Sequence, residues 1–258
     1  MDAVSGLMLL GAGFVGGIVT GVVGAASLIT FPAMLAAGLP PIVANASSAV
    51  AMTPGNFIAG IADLERRPPW DRSLAGVILV TVVGGVAGAA LLLVTPERAF
   101  TAVVPLLIGL ATILFAAAGP IRRWSLTRAA APRAGRLSAE GLRVVLLAPV
   151  AVYGGYFGAA MSVMLLAILS ITSPAEFRTT NVLKNLLSGL TGLVAVVVFV
   201  LQGVVAWPPA LAMMGGALAG GFLGGRLVRF LPPALLRGLV IAVGTVLTAI
   251  YVWRAWRG

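Results

Sequence analysis

Two stretches of this chain, Gly6 to Ala37 and Leu142 to Ile171, run apolar for about ten residues more than the roughly 20 of a bilayer-spanning helix, and each is interrupted by a glycine cluster. The first cluster reads Thr20-Gly21-Val22-Val23-Gly24-Ala25-Ala26-Ser27, the second Tyr153-Gly154-Gly155-Tyr156-Phe157-Gly158-Ala159-Ala160. Backbone freed from helical bonding cannot face lipid, so such a break must be buried in protein or line a wet cavity. Each stretch therefore predicts two short helices meeting at an enclosed tip.

Six further apolar segments, Val43 to Ala62, Leu74 to Val94, Ala99 to Ala118, Thr180 to Leu201, Ala210 to Leu223 and onward, and Ala234 to Trp253, are near the length of one spanning helix. Only 9% of the residues are charged and the mean hydropathy is +1.10, whereas a soluble domain carries about a quarter charged residues. The fold class is an all-α membrane protein. Met1 and Asp2 lack the positive start of a cleaved signal peptide, so the first segment is expected to be retained.

The absence of cysteine and histidine removes disulfides, thiol nucleophiles and the commonest metal and acid/base side chain. The acids Asp2, Asp63, Glu65, Asp71, Glu97, Glu140 and Glu176 all lie outside the apolar runs or at their ends. Catalysis would need a nucleophile, a metal set or paired carboxylates, so neither an enzyme nor a metal or other cofactor is expected. The net charge of +10 does not point to nucleic acid, because all basic residues but Lys184 are arginines set mostly between or at the ends of apolar runs, as topology signals are.

The two halves repeat. Gly21-Val22-Val23-Gly24-Ala25-Ala26 matches Gly155-Tyr156-Phe157-Gly158-Ala159-Ala160 at an offset of 134, while Asn45, Gly84, Gly85, Gly88 and Pro96 match Asn181, Gly220, Gly221, Gly224 and Pro232 at 136. Duplication accounts for such an ordered series better than chance similarity among small residues. Residues 1–120 form the first repeat, 121–141 a basic cytoplasmic linker and 142–258 the second repeat of one integrated membrane domain.

Basic residues then orient the repeats. If all eight segments cross, 11 of the 17 basic residues collect on the cytoplasmic side; if the two glycine-broken segments are re-entrant, each half crosses three times, the halves are inverted and 14 lie inside. Positive-inside bias favours the second arrangement, even with Lys184 discounted as lying within a helix. Inverted repeats with broken helices recur in secondary transporters, whose site lies at the repeat interface near the midplane. Helices starting at a tip present unpaired N–H groups and a positive dipole end, which together favour an anion.

Lys184, in Asn181-Val182-Leu183-Lys184-Asn185, stands one to two turns into an apolar helix. It either snorkels to the interface or aims an ammonium at an anionic substrate. Asn45, Ser47, Ser48, Thr53 and Asn56 form a neutral donor cluster in the first repeat, suited with a lysine to a small tetrahedral or pyramidal oxyanion. Each alone is as well explained by helix packing, and packing is also the reading for Gly84, Gly85, Gly88 and their partners. The expected substrate-binding set is Gly24, Ala25, Ser27, Asn45, Ser47, Ser48, Gly158, Ala159, Ser162, Asn181, Lys184 and Asn185.

The glycine-broken first segment, the second copy led by Tyr153-Gly154-Gly155-Tyr156-Phe157-Gly158-Ala159, and Asn181-Val182-Leu183-Lys184-Asn185-Leu186-Leu187-Ser188 together resemble the TauE/SafE family of sulfite and organosulfonate exporters over nearly the whole chain. The resemblance implies alternating-access export of sulfite, sulfoacetate or a related sulfur-containing anion across a bacterial cytoplasmic membrane. An anion channel and a carrier for another small anion, such as a carboxylate, are the alternatives. The lipid bilayer and the anion are the expected partners.

Overall fold

A computed structural model describes residues 2–22, 26–61, 71–117, 119–120, 139–172, 177–227 and 233–257, and these are mostly helical with no strand among them. Among the described residues ten helices follow in order. The first half holds α1 (Ala3–Val22), α2 (Ser27–Ala36), α3 (Pro41–Ile61), α4 (Arg72–Val94) and α5 (Glu97–Ala116). The second holds α6 (Ala139–Tyr156), α7 (Met161–Thr172), α8 (Phe177–Leu201), α9 (Trp207–Leu227) and α10 (Pro233–Arg257). Four helical stretches, Ala3–Thr20, Arg72–Val94, Glu97–Ala116 and Thr179–Leu201, are long and apolar enough to cross a membrane.

Local chemistry sets the helix ends. Asp2 accepts from the Ser5 N–H at 3.1 Å at the head of α1, and hydrogen bonds from the Ser5 side chain and backbone hold its carboxyl below the ordinary aspartate value. Asp71, in extended conformation, caps α4 by accepting from Leu74 N at 2.7 Å. Gly38 (φ +85°) closes α2, with Leu39 N–H reaching the Met34 carbonyl and Gly38 N–H that of Leu35. Gly203 (φ +69°) closes α8 with the same pair of bonds. Both are left-handed glycine caps, which leave few orphan carbonyls at the turn.

Both glycine-broken stretches break where the sequence places the clusters, between α1 and α2 and between α6 and α7. Their arms are unequal, 20 and 10 residues in the first and 18 and 12 in the second, and in each the first arm begins three residues ahead of the apolar run. The second pair doubles back as a hairpin. Arg143, near the start of α6, donates to the carbonyl of Thr172 at the end of α7 at 2.8 Å and to Ser73 at the start of α4 at 3.1 Å.

The halves interlock. The first helix of each half packs along the fourth of the other, α1 on α9 and α6 on α4, while α3 crosses α8 and α5 packs on α10. Exchanging the halves leaves these principal pairings unchanged, as a pseudo-twofold relation requires. Small residues make the two longest contacts. A Cβ added at Gly13 or Gly17 of α1 would fall on the carbonyl oxygens of Met213 or Ala217; one at Gly88 of α4 would fall on that of Val152. Lipid is as apolar as the helices, so such backbone approach, rather than a hydrophobic drive, holds membrane helices together.

Gly215 and Gly216 on α9 give a test in adjacent positions. A Cβ at Gly215 meets nothing within 4 Å, whereas one at Gly216 would overlap the Leu10 carbonyl. Gly215→Ala is expected to leave thermal stability in detergent unchanged or raise it by up to about 1 kcal/mol, and Gly216→Ala to lower it by about 1 to 3 kcal/mol. Equal behaviour of the two variants would contradict the close α1–α9 contact.

Candidate functional site

The second break is built in most detail. Gly158 (φ +73°) and Ala160 (φ +59°) carry the chain through the left-handed region, which glycine enters freely and alanine at roughly 1–2 kcal/mol. Tyr153 stitches the turn. Its carbonyl accepts from Phe157 and Gly158 N–H at 2.9 and 3.1 Å, and its hydroxyl donates to the Ala159 carbonyl at 2.8 Å. The N–H groups of Ala159, Ala160 and Ser162 make no hydrogen bond among the described residues. They leave unpaired donors at the start of α7, as helix starts do.

The other half clamps this turn from outside. Asn45 of α3 donates its side-chain amide to the Tyr156 carbonyl, the last of α6, at 3.0 Å. Phe31 of α2 meets Phe157 edge to face at 5.3 Å, and Phe100 of α5 meets Tyr156 at 5.7 Å. Edge-to-face pairs of this kind hold rings in fixed relative orientation.

A cavity with about 80 Å³ of space open to water centres lies between the two breaks. One water needs roughly 10–15 Å³ on this scale, so the space suits a small anion or a handful of waters. Its polar wall is Thr20, Ser27, Asn45, Ser48 and Thr53 from the first half and Ser162 and Ser188 from the second; Met52, Phe157, Met161, Ala195 and Phe199 supply an apolar wall. Two hydroxyl pairs flank it, Thr30 with Ser48 at 2.8 Å between α2 and α3, and Ser162 with Ser188 at 3.1 Å between α7 and α8. Each ties a short half-helix to the long helix after it. Thr53 sits against Gly192 where α3 and α8 cross, so close that a Cβ on Gly192 would lie 2.7 Å from its hydroxyl.

Of the residues expected from sequence, Ser27, Asn45, Ser48, Gly158 and Ser162 line this cavity together. Gly24 and Ala25 lie outside the described residues, as does the Asn56 side chain. Ser47 is engaged elsewhere, accepting from the Ala206 N–H at 3.0 Å and so tying α3 to the turn before α9. Ala159 is buried at the break and contributes its carbonyl to Tyr153. Asn181, Lys184 and Asn185 stand on α8 and are not among the lining residues. Lys184 is four residues from Ser188, on the same helical stripe and one turn beyond the cavity.

Sequence reasoning did not single out Thr20, Ser188 or the apolar wall. Ser188 carried a signal: it repeats the Lys184 register one turn later in an otherwise apolar helix. Thr20 opens the first glycine cluster, as Tyr153 opens the second. The aromatic and methionine residues carried none, since apolar residues at helical spacing are what any membrane helix shows.

The family model for the sulfite exporter TauE/SafE matches residues 9–252. A probable membrane transporter protein of Haemophilus influenzae is 26% identical over 95% of this chain and 94% of its own length. The probable membrane transporter protein YfcA of Escherichia coli K12 is 28% identical over 90% of this chain and 84% of its own, and a probable membrane transporter protein of Sinorhizobium, ORF9, is 24% identical over 92% and 88%. No solved structure matches. The chain belongs to the TauE/SafE family, and it is a multi-pass membrane protein of transporter type.

The clamp on the break makes a prediction. Tyr153→Phe keeps the ring contact with Phe157, at 6.5 Å between centroids, but removes the bond to the Ala159 carbonyl. It is expected to cost about 1 to 3 kcal/mol, the penalty of a buried polar group left unpaired. Thermal unfolding in detergent measures it, and wild-type stability would show that the hydroxyl does not support the turn.

Proposed function

We propose that this TauE/SafE member is a secondary carrier that exports a small sulfur-containing anion, sulfite or an organosulfonate, by alternating access, holding it between the two glycine breaks. The observation that carries the reading is the cavity itself: it lies at the meeting of the two halves, small, hydroxyl-rich and reached by the starts of two half-helices. The start of α7 offers unpaired N–H groups, and both starts turn positive dipole ends toward whatever is bound. In proteoliposomes the purified protein is expected to give saturable, counter-exchanging flux of labelled sulfite or sulfoacetate. Flux that rises linearly with concentration and shows no counter-exchange would favour a channel instead.

The proposed setting is a bacterial cytoplasmic membrane, with the halves inverted and the breaks re-entrant. The hairpin closure of α6 on α7 through Arg143 and the exchange symmetry of the helix pairings support that arrangement. Single cysteines in this cysteine-free chain are expected to label from outside at 38–43 and 203–207, and from inside at 66–72, 122–143 and 226–237. Both termini labelling from the cytoplasm would sink the inverted arrangement.

In the same scheme Lys184 lies on the cytoplasmic side of the cavity, one turn below Ser188, and draws the anion toward it. Lys184→Met is expected to weaken apparent affinity only a few-fold, as loss of a charge that lies near the guest without touching it would, with Lys184→Arg restoring most of it. A loss of about a hundredfold or more would make Lys184 a direct ligand.

A further inference from the structure

We infer that the moving parts of this carrier are two four-helix bodies, each drawn from both sequence halves, which turn on one another where α3 crosses α8. The inference rests on the carrier reading above and adds to it which contacts must hold and which must break.

Helix contacts divide the fold in this way. The first body is the hairpin α1–α2 with α3 and, from the other half, α9; the second is the hairpin α6–α7 with α8 and, from the other half, α4. Each body is pinned across the halves. In the first, Gly13 and Gly17 bring the backbone of α1 onto that of α9, and Ser47 of α3 accepts from the Ala206 N–H ahead of α9 at 3.0 Å. In the second, Gly84 and Gly88 of α4 lie against Ala151 and Val152 of α6, while Arg143 joins α6 both to Ser73 of α4 and to the last carbonyl of α7. Parting the sequence halves would strip these backbone contacts, the kind that hold membrane helices together. Turning the two bodies keeps them.

The buried core is a second, independent ground. One cluster draws Val77 from α4, Leu147 from α6, Leu165 from α7 and Leu187 from α8, and all its buried members belong to the second body. A small separate cluster, Ala26 ahead of α2, Met52 of α3 and Ala217 of α9, belongs to the first. Toward the end where α3 begins, by contrast, a single cluster runs across both bodies and joins Phe31 and Ala44 to Ala89, Phe157 and Phe199. Among the described residues the bodies thus share a core at one end and keep separate cores at the other. A carrier closed on one side of its site and parted on the other has this form.

Between the two ends α3 crosses α8, with Thr53 against Gly192 at the wall of the cavity. No side chain projects from Gly192 to interlock with Thr53, so the helices can pivot there, as packed helices do in shear and hinge motions. At the closed end Asn45 of the first body holds the Tyr156 carbonyl of the second at 3.0 Å, and Phe31 meets Phe157 edge to face. In the alternate state Asn45 releases that carbonyl, Phe31 parts from Phe157, and the separate cores at the far end approach one another. A single hydrogen bond and a ring pair are contacts of a strength that can exchange on every cycle.

Four exposed positions tell the two divisions of the chain apart: Leu7 of α1 and Leu223 of α9 in the first body, Val94 of α4 and Val145 of α6 in the second. Cysteines placed there in pairs in this cysteine-free chain carry nitroxide labels, and pulsed electron resonance reads their separation in proteoliposomes with and without the anion carried, sulfite or sulfoacetate. Leu7 with Val94, and Leu223 with Val145, pair different bodies within one sequence half, and their separations are expected to change by more than about 2 Å. Leu7 with Leu223, and Val94 with Val145, pair different sequence halves within one body and are expected to stay fixed. The reverse pattern, or no change in any pair while the protein transports, overturns the inference and leaves the carrier reading intact. A disulfide gives the functional counterpart. A Cβ on Gly85 of α4 would stand 3.4 Å from the Thr191 methyl of α8, so Gly85→Cys with Thr191→Cys can tie the sequence halves inside the second body. Oxidation is expected to leave the flux of labelled anion unchanged; loss of flux on oxidation that reduction restores overturns the inference. Where the reduced variant is already inactive, the label pairs decide. Absence of saturable flux from the unmodified protein counts against the carrier reading and takes the inference with it.

Discussion

A peptide group out of reach of water and of a partner costs several kcal/mol in an apolar medium, and two helix breaks inside an apolar protein create such groups in quantity. Much of the architecture follows from enclosing them. The second break is tied by its own Tyr153, by Asn45 from the opposite half and by aromatic rings from α2 and α5. What these contacts leave unpaired lies beside the cavity, where a guest or water can pair it. The site is therefore the unsatisfied remainder of the packing problem and needs no separate scaffold.

Bringing two breaks together requires the halves to interpenetrate, and the small residues of α1, α4, α6 and α9 permit it. Gly13, Gly17, Gly84, Gly88, Gly155, Gly216 and Gly220 each lie where a side chain would strike the facing helix. The pairs α1–α9 and α4–α6 each join one half to the other, so rocking one sequence half rigidly against its partner would slide backbones in direct contact. By contrast, α3 and α8 meet at the cavity through side chains such as Thr53, and the short helices are held to them by single hydroxyl pairs. Single hydroxyl pairs thus border the cavity beside close-packed contacts at Gly155 and Gly192.

Sequence made the breaks legible to within a residue or two, because a glycine cluster inside an apolar run has few other uses, and the packing role of Gly84, Gly88 and Gly220 was equally readable. The family was readable from the second break and the Asn181 to Ser188 stretch. Which polar residues share the cavity was less so. Ser47 and Ser48 are adjacent and chemically alike, yet one faces the turn at Ala206 and the other the cavity, a difference of about 100° around α3 that depends on where α9 packs. Asn45 and Asn181 match at an offset of 136 residues, but only Asn45 is among the lining residues, so a sequence match does not imply a shared role.

Lys184 draws the sharpest distinction between steering and holding. An ammonium within the cavity would bind an oxyanion tightly, and in a carrier tight binding slows release on the far side, since a bound state that is too stable must be climbed out of on every cycle. In the proposed site, neutral donors and two half-helix starts would hold an anion without the extra depth of an ion pair. On the proposed reading a lysine one turn away would raise the local concentration of anions at the approach and leave the bound state shallow. Electrostatic attraction at a distance acts mainly on the rate of arrival, whereas hydrogen bonds to the guest act on its residence. On the proposed reading, the two tasks divide between Lys184 at the approach and the Ser27, Asn45 and Ser162 wall around the guest.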